Sequence, residues 1–100
     1  MVLNITIPED QIEEFCRRRR IKRLALFGSV LRDDFDADSD VDVLVEFMPD
    51  SGTDLFDMTD MEIELREIFG RKVDLRTPAE ISPYFRQDVL NQAQVLYERQ

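Results

Sequence analysis

Asp40 stands just before the apolar run "VDVLVEF", residues 41–47, and Asp42 is its second residue, so two carboxylates stand where a strand should begin. Side chains two apart in a strand leave the same face, about 6.6 Å apart along the chain. Asp40 and Asp42 should therefore project together, while Val41, Val43, Val45 and Phe47 anchor the opposite face in the core. Two like charges so placed repel each other unless a cation sits between them, which gives the pair the character of a metal site. A third acid, Asp74, lies between Val73 and Leu75 in "KVDLR", and if the two strands are neighbours it completes a three-carboxylate cluster. Together with substrate phosphates, such a cluster can hold two Mg²⁺ ions about 4 Å apart, as in-line phosphoryl or nucleotidyl transfer requires.

Upstream, "FGS" ends one strand just before a helical turn. Gly28 has no Cβ to keep a ligand from the backbone, and Ser29 can donate its hydroxyl. The amides that open the next turn favour an anion such as phosphate. A phosphate cradle and a metal site are thus expected at one edge of a sheet.

Composition narrows the alternatives. The chain has no histidine and one cysteine, Cys16. Ser-His-Asp and Cys-His catalysis are excluded, as are histidine bases and most zinc sites, so any metal must be a hard ion held by oxygen. A lone cysteine forms no internal disulfide and fits a reducing cytoplasm. The net charge of −9 argues against a non-specific grip on a nucleic-acid backbone, and no direct nucleic-acid binding is expected. The charge is uneven: six of the seven residues in "RRRRIKR", 17–23, are basic, whereas 33–42 hold six aspartates. Such a dipole suits a charged small ligand or a charged protein partner. The basic run itself reads as a helix end and solvated surface, and Asp33, Asp34, Asp36 and Asp38 as a solvated loop. An EF-hand fails, because counting from Asp34 or Asp36 puts Ser39 or Val41 at the glycine position and Val45 or Phe47 at the twelfth. The N-terminus lacks the pattern of a signal peptide, and no apolar run is long enough to span a membrane, so no membrane role is expected.

The elements that must position these residues follow from periodicity. "TIPEDQIEEFCRRRR" predicts a helix, with Thr6 and Glu9 at capping-box spacing and Ile12, Phe15 and Cys16 as its apolar stripe. "RLALF" predicts a short strand, residues 30–40 a helical turn and polar loop, and 41–47 the clearest strand. From Asp54 to Phe69, Leu55, Met58, Met61, Leu65 and Ile68 recur at helical spacing, with Gly70 as the stop. "KVDLR" predicts a third strand. Beyond Pro78 and Pro83, Phe85, Val89 and Ala93 predict a last helix, and "QVLYE" fits either a helical turn or an edge strand. The expected fold class is α/β (α+β): residues 1–100 as one domain, with a single mixed sheet of three to four strands covered by helices.

Gly28-Ser29, ten intervening residues and Asp40-Val41-Asp42 read G-S-x(10)-D-x-D. This pattern, with Ser39 before the first aspartate and the later "KVDL", resembles the signature of the DNA polymerase β-type nucleotidyltransferase superfamily. The short chain resembles its minimal nucleotidyltransferase branch over about residues 5 to 98. The resemblance implies a polymerase β-like fold and transfer of AMP from ATP with two Mg²⁺ ions. It also implies an antitoxin role, in which a HEPN ribonuclease toxin is silenced by adenylylation of a tyrosine. Carried over, Gly28 and Ser29 would bind phosphate, and Asp40 and Asp42 would ligate both metals. Asp74 would ligate the catalytic ion and help deprotonate the acceptor hydroxyl. Many relatives place Gly after the arginine at Arg32; Asp33 stands there, so Arg32 fits either a phosphate contact or a salt bridge. The competing reading is a non-catalytic antitoxin, in which an acidic chain neutralises a basic toxin by binding alone. A third is a stand-alone enzyme acting on a small molecule or an RNA end.

Overall fold

The computed structural model describes residues 5–32, 35, 36 and 38–99, with Ser29 and Leu55 described in their backbone only. Helix α1 (Glu9–Arg18) leads into strand β1 (Ile21–Phe27), which ends in one 3-10 turn, Gly28–Leu31. Strand β2 (Val41–Phe47), helix α2 (Leu55–Phe69) and strand β3 (Val73–Arg76) follow. A second short turn, Pro78–Glu80, precedes helix α3 (Pro83–Gln92) and strand β4 (Gln94–Glu98). The sheet order is β3-β2-β1-β4; β2 and β3 run parallel, and β1 is antiparallel to both β2 and β4. The tail is thus an edge strand, and the four-stranded mixed sheet agrees with the expected fold class.

Alternation along the strands sorts the two faces of the sheet. Leu24, Leu26, Val41, Val43 and Val45 have no solvent exposure, and with Val73 and Leu75 they pack against Ile12, Phe15 and Cys16 of α1 and Met61 and Leu65 of α2. Desolvation in this core pushes the Cys16 thiol up to about 12, so it behaves as a small apolar residue. The opposite face carries Arg23, Asp42, Glu46, Asp74 and Arg76, none of them buried, around the buried Ala25 and Leu44.

Two local expectations change, and a third element agrees. The Thr6–Glu9 capping box does not form: Pro8 is the N-cap of α1, with no side-chain cap bond. A residue before proline is forced towards extended backbone, so Ile7 cannot be helical and the helix begins after the box would require. Strand β1 starts at Ile21 rather than Arg23, because a bulge between the two hides the alternation. Helix α3 forms as its apolar repeat predicts, with Ala93 as its C-cap; none of its residues is buried, and Tyr84 and Phe85 stay exposed.

Helix α2 agrees with the expected span. Asp54 and Asp57 exchange backbone bonds of 2.9 and 3.1 Å in a capping box, and Gly70 closes the helix at φ +68°. The arginines of 17–23 are engaged within the chain: Arg17 with Glu13, Arg18 and Arg19 with Glu64, Arg20 with Asp50, and Arg23 with Glu46 and Glu98. That accounts for the run without a ligand. Among the described residues no helix is long and apolar enough to cross a membrane.

Candidate active site

Asp42 is the second residue of β2 and faces away from the valine side of the sheet. Its neighbour across the parallel pair is Asp74 of β3, in direct register, so the two carboxylates share one face. Its neighbour across the antiparallel pair is Phe27, and the next residue, Gly28, turns the chain at φ +72°. A Cβ on Gly28 would lie 2.3 Å from Oδ2 of Asp42. Glycine thus suits the position twice: it takes the left-handed backbone without strain, and it lets the Asp42 carboxylate lie where a Cβ would displace it. The sequence reading gave that space to an approaching ligand; in the structure the Asp42 side chain occupies it.

Asp74 accepts a hydrogen bond from Nε of Arg76 at 3.2 Å. Arg76 was not among the candidate residues, although its place two beyond Asp74 puts both on one face of the strand. Asp40 is exposed at the entrance to β2. Its approach is tied down twice: the Val41 amide donates to the Lys72 carbonyl at 2.9 Å, and Arg71 donates to the carbonyls of Asp36 and Ser39. The Arg71 guanidinium also lies 4.3 Å from the centre of the Phe35 ring. Within the loop, Oδ1 of Asp36 accepts from the Asp38 amide at 2.9 Å and from the Ser39 hydroxyl at 3.1 Å. Asp36 and Asp38 are exposed, as expected, while Asp33 and Asp34 lie outside the described residues.

The structure thus brings Asp42 and Asp74 together, with Gly28 against Asp42. It does not draw Asp40, Asp42 and Asp74 into a closed cage: among the described residues no three acids converge closely enough to enclose an ion. Asp40 stands exposed before β2 begins, and Asp74 is turned to Arg76. The donors nonetheless fit a hard divalent ion, since every one is a carboxylate oxygen.

Gly28 also borders a cavity of about 450 Å³, shared with Leu31, Arg32, Asn91 and Gln92. The structure places Arg32 on this wall, exposed, beside the turn that Gly28 begins. The Ser29 backbone lies in that turn, and its side chain is outside the described residues. Asn91 and Gln92 could not be found from the sequence, because their approach to Gly28 depends on β4 folding back along β1. A somewhat larger hollow, about 510 Å³, runs along α1 but is lined by the side chains of one helix and lies apart from these residues.

Comparison with known proteins follows the same lines. The sequence profile of the nucleotidyltransferase domain family matches residues 9–96. The candidate protein adenylyltransferase MJ0435 of Methanocaldococcus jannaschii is 34% identical over 91 residues, which is 91% of this chain and 96% of that protein. A solved structure described as a candidate minimal nucleotidyltransferase is 32% identical and superposes with a TM-score of 0.71 over 85% of each chain. The complex of a tri-AMPylated HEPN toxin with its MNT antitoxin from Shewanella oneidensis has the same fold, with a TM-score of 0.64 at 22% identity over 91% of this chain and 70% of that one.

Proposed function

Because the chain belongs to the nucleotidyltransferase domain family, and within it to the minimal nucleotidyltransferases, we propose that it is a Mg²⁺-dependent adenylyltransferase acting on a HEPN ribonuclease toxin. On this reading it moves AMP from ATP to a tyrosine hydroxyl of that partner and so serves as its antitoxin in the cytoplasm. The observation that carries the reading is the register of Asp42 with Asp74, with Gly28 shaped around the first carboxylate and open to a neighbouring cavity.

Each residue then has a role. Gly28, Ser29 and the amides of the 3-10 turn hold the triphosphate, with Arg32 beside them. Asp40, Asp42 and Asp74 would hold the metal ions, which when bound neutralise charge developing on the phosphates. Asp74 orients the acceptor and takes its proton, which a hydroxyl of pKa about 10 does not give up unaided at neutral pH. The tyrosine oxygen bonds to the α-phosphorus as the bond from that phosphorus to the bridging oxygen breaks, and pyrophosphate leaves with the electron pair. For this, Asp74 must exchange its bond to Arg76 for the incoming groups.

The test is the intact mass of the HEPN partner after incubation with this protein, ATP and Mg²⁺. A rise by one or more adenylate units is expected. A partner that is inhibited yet unchanged in mass would instead support neutralisation by binding alone.

A further inference from the structure

The nucleotide's base needs a site as much as its phosphates do, and one cavity borders the cradle. It measures about 450 Å³, within the range of small-ligand sites, and Gly28 belongs both to its wall and to the turn beside Asp42. It is lined also by Asn91 and Gln92, at the C-terminal end of α3, and by Leu31 and Arg32, in the turn after β1. Leu31 and two carboxamides in one hollow, with the Arg32 guanidinium beside them, suit a flat heterocycle that has hydrogen-bonding edges and carries phosphates at one end.

We propose that this cavity is the base subsite and that Asn91 and Gln92 select adenine. The proposal rests on the adenylyltransferase reading above and names what makes the donor ATP rather than another triphosphate. The chemistry is that of a carboxamide against a purine edge. A carboxamide can give its NH₂ to N7 of adenine and accept from the N6 amino group. Guanine presents O6 where adenine has its amino group, so the carboxamide oxygen then meets another acceptor.

The two residues divide the task. Oδ1 of Asn91 accepts a bond from Nε2 of Gln87 at 2.9 Å, which fixes which end of its carboxamide is committed. Asn91 is left with its NH₂ group as a donor. Gln92 keeps both ends of its carboxamide outside the hydrogen bonds made among the described residues, so it can form the two-bond contact. The strand that follows, β4, pairs with β1 through Gln94 and Leu26, and this holds the end of α3 next to the end of β1.

The experiment is calorimetric titration of three probes in the presence of Mg²⁺: ATP, GTP and inorganic triphosphate. Each is titrated into the full-length wild type and into Gln92→Ala, Gln92→Glu and Asn91→Ala. AMP and GMP transfer to the HEPN partner is measured on the same proteins. In Gln92→Ala the affinity for ATP should fall about tenfold, with little change for GTP, so that the preference for adenine shrinks by the same factor. Inorganic triphosphate, which has no base, should bind the two alanine variants as it binds the wild type. Gln92→Glu keeps the shape but replaces the donor with a negative charge, and should weaken ATP at least as much. Asn91→Ala should show the smaller loss.

An unchanged ratio of ATP to GTP affinity in all three variants would overturn the subsite while leaving the adenylyltransferase reading intact. So would an equal loss for all three probes, which would mean that the end of α3 only supports the phosphate cradle. A wild type that binds neither nucleotide would overturn the underlying reading, and the subsite with it.

Discussion

Val41, Val43 and Val45 have no solvent exposure, whereas Asp42 and Glu46, on the other side of the same strand, retain partial contact with solvent. Neighbours in sequence therefore belong to different environments, separated by the thickness of one sheet. The valine face meets α1 and α2 and holds the domain together. The aspartate face carries Asp42 and Asp74 in register, with Arg76, and leads to Gly28 and the cavity beyond it. Period-two alternation thus lets one strand stabilise the fold and present charge without either function compromising the other. Substitutions on the two faces should have separable consequences.

The largest effect is expected on the valine face. Val43→Asp would bury a carboxylate among Leu26, Val41 and Val45, at a cost comparable with the whole stability of a domain of this size, about 5–15 kcal/mol. Chemical denaturation followed by circular dichroism should show little folded protein. A cooperative transition close to that of the wild type would break the division between the faces.

Gly28→Ala tests the seam between them. The new Cβ would meet Asp42 at 2.3 Å, in a left-handed backbone that alanine adopts with strain. A destabilisation of about 1–3 kcal/mol is expected, together with a fall in transfer larger than the loss of folded protein explains, because Asp42 must move. Activity retained in proportion to the folded fraction would show that the position of Asp42 is not critical.

A smaller effect should come from Asp54→Ala, which removes the cap of α2 on the structural side. Stability should drop by about 1 kcal/mol, with transfer per folded molecule unchanged. Thermal melting and single-turnover transfer on the same sample provide the check.

The smallest concerns Glu64, whose carboxyl is held below its usual range chiefly by the hydrogen bond from Arg18, with Arg19 also contributing. A depressed carboxylate adds stability above its unfolded pKa of about 4.3 and loses it as pH falls through the lower folded value. The pair is partly exposed, so the contribution at neutral pH should be only about 0.5 kcal/mol. Glu64→Gln should lower the melting temperature slightly at pH 7, and the difference should close as the pH falls well below 4. A gap that persists in acid would assign the effect to packing.

Much of this arrangement was legible in the sequence because it depends on local periodicity. "VDVLVEF" announces a strand with acids on one face, Gly70 announces a helix end, and G-S-x(10)-D-x-D links the two parts of the site. What was not legible depends on contacts distant along the chain. The pairing of Asp42 with Asp74 needed the parallel register of β2 with β3, and Asn91 reaches the neighbourhood of Gly28 only through β4. The occupation of the Gly28 space by Asp42 is likewise a packing result that no spacing encodes. The Thr6–Glu9 box misled because the extended preference imposed by Pro8 on Ile7 outweighs a cap worth about 1 kcal/mol.

The central claim is that the acids of β2 and β3 serve chemistry and not the fold, and Asp42→Asn tests it most directly. One preparation of that variant is melted and then incubated with ATP, Mg²⁺ and the HEPN partner, and the partner's intact mass is recorded. Removing one of two neighbouring charges should leave the melting temperature unchanged or slightly raised, while the partner gains no adenylate in the time the wild type needs to modify it fully. Full adenylylation by the variant, or a loss of transfer accompanied by a fall of several degrees in melting temperature, would contradict the account.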